Sequence, residues 1–146
     1  MSLSISDVLA WSSPLVTVVG WFLVNRQNNS REFRKEIRSA VDSCKKMARE
    51  VTEQSVLYWT GHEESKSWKI KYLLEELEVE ICRLPVSRGR STVHDAYVEL
   101  VEAITTADFD SSNLKAISID DRVIRDIRIA RQHLFVILED NFSTHY

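Results

Sequence analysis

The stretch Val8–Val24, VLAWSSPLVTVVGWFLV, limits what this chain can fold into more than any other segment. Its seventeen residues carry no charge, in a protein where 28% of residues are Asp, Glu, Lys or Arg. As a helix it would be about 26 Å long at 1.5 Å per residue, close to the roughly 30 Å hydrocarbon core of a bilayer. Nine of the seventeen are Val, Leu or Phe, and each favours insertion by about 0.3–0.6 kcal/mol near the centre of a span. Ser12, Ser13, Pro14, Thr17 and Gly20 reduce that gain. The balance predicts a transmembrane helix of modest insertion energy. Two rivals are a cleaved signal peptide and a helix buried in a soluble core. A signal peptide needs basic residues before the apolar run and a small-residue cleavage site after it. Here Asp7 precedes the stretch and arginines follow it.

The side chains around this stretch suggest topology and association. Trp11 and Trp21 lie near its two ends, where indole rings favour the membrane interface, and Arg26 and Arg31 follow. Basic residues after the span and none before it put the C-terminal side in the cytoplasm and the N-terminus outside. The expected location is the cell inner membrane, single-pass. Ala10, Ser13, Thr17 and Gly20 share one face of the helix. Small residues let helices approach closely in lipid, and hydroxyls can bond across the contact. This face is the candidate self-association surface, so a homo-oligomer is expected.

The charge distribution agrees with that orientation. Residues 25–50 hold eight basic and four acidic side chains, and residues 51–146 hold eleven basic and seventeen acidic ones. The positive segment adjoins the span and can face anionic headgroups, at about 1 kcal/mol per basic residue. The acidic remainder disfavours nucleic acid as a partner. Cys44 and Cys82 are the only cysteines, too few for a disulfide framework or a zinc site.

Beyond the span, apolar residues recur at alternating spacings of three and four, the mark of packed amphipathic helices. Asn25–Ser30 is either a break or a segment the helix runs through, and Asn29 or Ser30 can cap a new helix. A long helix is expected over about 30–60, with Phe33, Ile37, Ala40, Cys44, Met47, Val51 and Tyr58 as its seam and Gly61 ending it. A second is expected over about 65–84, with Ile70, Leu74, Leu77, Ile81 and Leu84 inside, Trp68 and Leu73 widening the face, and Pro85 stopping it. A third covers about 91–106 on Val93, Ala96, Tyr97, Leu100, Val101 and Ile104. A fourth covers about 120–142 on Val123, Ile124, Ile127, Ala130, Leu134, Ile137, Leu138 and Phe142. Phe109 and Leu114 are expected to fold the intervening connection back onto the core, and Asp121 and Arg125 to form an ion pair. The fold class is therefore all-α: a transmembrane anchor, residues 1–27, followed by an antiparallel four-helix bundle, residues 28–146. A hairpin turning near residue 63 would place Cys44 and Cys82 at one level.

Candidate chemistry is sparse. Arg88 and Arg90, in the loop 87–91 before the third helix, form a weak anion site near that helix's N-terminus. His62, Glu63 and Glu64 are adjacent in a link, which rarely lets them converge on one ion, so no metal is expected. No cofactor motif occurs. Arg128 and His133 read R-x4-H, which resembles the R-x4–6-H motif of HEPN domains, helical bundles that cleave RNA. That resemblance implies phosphate binding by Arg128 and acid–base work by His133. Ile129 departs from it, since the family usually has a polar residue after the arginine. In layout the chain is similar to small membrane-anchored helical proteins of bacterial stress and phage-defence loci. That similarity implies association through the span, a protein partner for the bundle, and an effect on the lipid bilayer. An interaction protein is the leading expectation, ahead of a tethered ribonuclease or a soluble all-α protein with residues 8–24 in its core.

Overall fold

A computed structural model describes residues 5–61, 66–84, 90–106, 109–111 and 116–145, with the backbone alone at 5–28, 30, 90, 144 and 145. The protein is all-α. Its four helices are α1 (Ile5–Trp59), α2 (Ser67–Arg83), α3 (Arg90–Ile104) and α4 (Arg122–His145), with no strand among the described residues. Two compact units result, Met1–Glu36 and Ile37–Tyr146. The helix does not break at Asn25–Ser30, so neither Asn29 nor Ser30 caps a new one. Among the described residues no helix is long and apolar enough to cross a membrane. The side chains of 8–24, on which the expected span depends, lie outside the described residues.

The second unit has one hydrophobic core, to which all four helices contribute. In α2 the buried residues are Ile70, Leu74, Leu77 and Ile81, with Leu84 just beyond, as their 4/3 spacing predicts. α3 buries Val93, Ala96, Tyr97, Leu100 and Ile104, and α4 buries Ile124, Ile127, Ala130, Leu134 and Leu138. The Tyr97 hydroxyl donates to the Leu74 carbonyl at 3.0 Å. Burial, with help from Glu78 and Glu75, pushes its pKa up to about 12, so it remains a donor. α2 starts without a side-chain cap at Lys66. α4 starts with one, because the Asp121 carboxylate accepts the Val123 N–H at 3.0 Å. Asp121 thus serves the backbone, and the ion pair in this turn joins Arg122 to Asp126.

α1 departs from its expected seam. Ile37, Cys44 and Val51 are buried as expected, but their companions are Val41, Ala48, Thr52, Ser55 and Trp59. Ala40, Met47 and Tyr58 are partly buried, and Phe33 is exposed. The buried stripe is therefore rotated by about one position from the expected one. Thr52 and Ser55 can be buried because each donates its hydroxyl to the carbonyl four residues back, Ala48 and Val51, at 2.7 and 2.6 Å. That local bond removes most of the cost of an unsatisfied buried hydroxyl.

The end of α1 organises the far end of this unit. Trp59 donates its indole N–H to the Ile104 carbonyl at 3.2 Å and accepts the Ile117 N–H on its own carbonyl at 2.9 Å. Phe109 folds back between Tyr58 and Trp59, with ring centroids at 5.1 and 6.4 Å. The other residue expected to do so, Leu114, lies outside the described residues. Gly61 follows α1 at φ +80°, and a Cβ there would stand 2.7 Å from that of Ala116. Glycine is needed both for the left-handed turn and for that close approach.

The cysteines are not matched in environment. Cys44 is wholly buried, whereas Cys82 is exposed. The α2 residue acting on Cys44 is Glu80, whose charge joins desolvation in pushing the Cys44 thiol up to about 11. Cys82 lies one position beyond the core residue Ile81, so it faces outward. Thiol titration of the native protein is expected to count one reactive cysteine, rising to two in denaturant. Two in the native state would contradict the buried position of Cys44.

Candidate functional site

The side chains of Ala10, Ser13, Thr17, Gly20, Trp11, Trp21 and Arg26 lie outside the described residues, as do Arg88, the Arg90 side chain and His62–Glu64. Arg31 is exposed. Among the described residues no cluster of three metal-ligating side chains occurs.

Arg128 and His133 are both on α4 and both exposed, but they serve different neighbours. His133 Nδ1 lies 2.6 Å from a carboxylate oxygen of Glu99 on α3. Arg128 lines a groove against α1. Five positions on a helix turn through about 500°, so residues this far apart face about 140° away from each other. Within one chain the two side chains are not brought to a common point.

A groove lies between α1 and α4. It holds about 420 Å³ and is lined by Thr52, Glu53, Val56, Leu57, Arg128 and Arg131. Val56 and Leu57 give it an apolar wall. The Thr52 hydroxyl is already committed to Ala48. Arg128 has no ion-pair partner among the described residues, and Arg131 has a buried Nε with no hydrogen-bond partner among them. Arg128 and Arg131 are thus the two basic residues lining the groove, beside a single acid, Glu53.

The same seam is cationic toward the other end of α4. The Arg131 and Arg49 guanidiniums and the Lys45 ammonium all lie over the Phe135 ring, at 5.7, 5.2 and 5.6 Å from its centroid. One turn further on, Glu139 accepts from Arg38 at 2.7 Å and pairs with Lys45. Arg38 also lies over the Phe142 ring at 5.3 Å. The Lys45 and Arg38 contacts hold the Glu139 carboxyl below its ordinary pKa of 4.5. A depressed carboxyl pKa stabilises the fold above the unfolded value, and that contribution is lost as pH falls through the folded one. Acid titration is therefore expected to show stability falling below about pH 4.5, with Glu139→Gln flattening the fall. An unchanged acid limb in the variant would rule out Glu139 as a contributor. The pair is over a third exposed, so solvent screens it and the effect is small.

The sequence does not reveal this cationic seam, because Arg49 and Arg131 are far apart in the chain. A local signal did exist. Arg128, Arg131 and Phe135 fall at spacings of three and four, which puts them on one face of a helix. Compared with protein-family models, characterised proteins and solved structures, the chain matches none.

Proposed function

We propose that the chain is a membrane-anchored interaction protein. In this reading Val8–Val24 spans the bilayer once, and residues 28–146 form an antiparallel four-helix bundle on the cytoplasmic side. The observation that carries it is the continuity of α1: one helix, Ile5–Trp59, contains both the uncharged stretch and the buried seam that begins at Ile37. The small-residue face at Ala10, Ser13, Thr17 and Gly20 brings spans together, and a protein partner of the bundle controls that assembly. The layout similarity to bacterial stress and phage-defence proteins supports an effector that acts on the lipid bilayer by assembling in it.

The test is the mass of the detergent-solubilised full-length protein by light scattering. An oligomer is expected, reduced in size by Ser13→Leu with Thr17→Leu. A monomer that those substitutions leave unchanged would sink self-association through the span.

A further inference from the structure

The core-facing side of α2 is fully used, but its outer side is not. Trp68, Tyr72, Glu75 and Val79 recur at spacings of four, three and four, which places them on one face opposite Leu74 and Leu77. Trp68 is 65% exposed, Tyr72 54% and Val79 48%. Trp68 was expected to widen the buried face; it instead starts this outward stripe. Glu75 and Glu76 are exposed beside it, and Glu76 accepts a hydrogen bond from the Tyr72 hydroxyl at 2.9 Å. Two large aromatic side chains and two carboxylates on one exposed helix face have the composition of a binding surface, with aromatic anchors beside polar groups.

The α1/α4 groove has the complementary chemistry. It presents the guanidinium groups of Arg128 and Arg131 beside the apolar wall of Val56 and Leu57. The two positive charges beside an apolar wall suit a carboxylate flanked by apolar side chains, and the α2 stripe presents that combination. We infer that the outer face of α2 in one copy docks into the α1/α4 groove of a second copy. Glu75 then meets Arg128 and Arg131, while Trp68 or Tyr72 packs on Val56 and Leu57. The two surfaces differ, so the contact is heterologous and leaves each copy with one free groove and one free α2 face. Such a contact builds a ring or an open chain. Copies inserted in one membrane with the same orientation can be related by rotation about the membrane normal, which permits a ring of this kind. The contact itself does not depend on the membrane reading.

Charge reversal tests it in the full-length protein, solubilised in detergent and followed by sedimentation over a range of concentrations. The first variant carries Arg128→Glu with Arg131→Glu, and the second Glu75→Arg with Glu76→Arg. Each is repeated with Ser13→Leu and Thr17→Leu, so that contacts through the span and contacts through the bundle are read separately. Each reversed chain alone is expected to associate about tenfold or more weakly than the native protein, because like charges then face each other. An equimolar mixture of the two is expected to associate again, since each acidic surface then finds a basic one. Thermal melts within a few degrees of native would show that these substitutions leave the fold intact. Association unaffected by either reversal overturns the inference, and so does a loss that mixing fails to restore. A protein monomeric at every concentration in which the arginine reversals abolish binding to phosphatidylglycerol vesicles also overturns it, in favour of a lipid headgroup in the groove.

Discussion

Val16→Arg is expected to move the protein out of the membrane fraction. Position 16 is the midpoint of the uncharged stretch 8–24. Arginine at the centre of a span costs about 2.5–3.5 kcal/mol, and the lost valine gave about 0.3–0.6 in the other direction. The combined change is about 3 kcal/mol, or about a hundredfold in the insertion equilibrium. A strongly apolar span would tolerate that. This one already contains Ser12, Ser13, Pro14, Thr17 and Gly20, so it has little reserve. Membrane fractionation of cells producing the variant measures the effect. Val16→Leu serves as the control and is expected to remain with the membranes. Equal membrane recovery of the arginine variant would mean that the stretch does not enter the hydrocarbon.

The second large effect is in the core. Leu134 is 0% exposed, on the helix that packs along α3. Leu134→Ala is expected to destabilise the fold by about 2–5 kcal/mol, from lost transfer energy and the cavity left behind. A shift of about 10 °C or more in the thermal midpoint follows for a unit of this size. Ile129, 60% exposed on the same helix, is the control, and Ile129→Ala is expected to change stability by about 0.5 kcal/mol or less. Comparable losses at both positions would mean that α4 does not turn its Leu134 face to the core.

Helices α2 and α4 could be read from the sequence because their inner faces are made of large branched residues at regular spacing. Ile70, Leu74, Leu77 and Ile81 allow one orientation of the helix, as do Ile124, Ile127, Leu134 and Leu138. On α1 the larger apolar residues pointed to a seam through Ala40 and Met47. The structure instead buries Ala48, Thr52 and Ser55. The Thr52 and Ser55 hydroxyls look polar in the sequence, but a bond to the preceding turn satisfies them locally. Trp59 and Trp68 show the same limit from another side. Trp59 is buried because Ile104 offers a carbonyl to its indole, and Trp68 is 65% exposed. Composition and periodicity do not distinguish the two.

The cationic groove was hidden for a topological reason. Thr52–Leu57 and Arg128–Arg131 become neighbours only once α4 lies along α1, and the pairing of Glu139 with Arg38 and Lys45 reflects the same approach. The R-x4-H motif is the reverse case. It is visible in the sequence, yet Arg128 goes to the groove and His133 to Glu99. A short motif on a helix fixes the angle between its residues, but not whether another element completes a site there.

Alkaline carbonate extraction of membranes containing the full-length protein tests the anchored reading most directly, because it strips proteins held only by charge or by other proteins. The protein is expected to stay in the pellet, as an inserted helix of residues 8–24 requires. Quantitative release into the supernatant would contradict a span and would mean that the stretch is covered by protein instead of lipid.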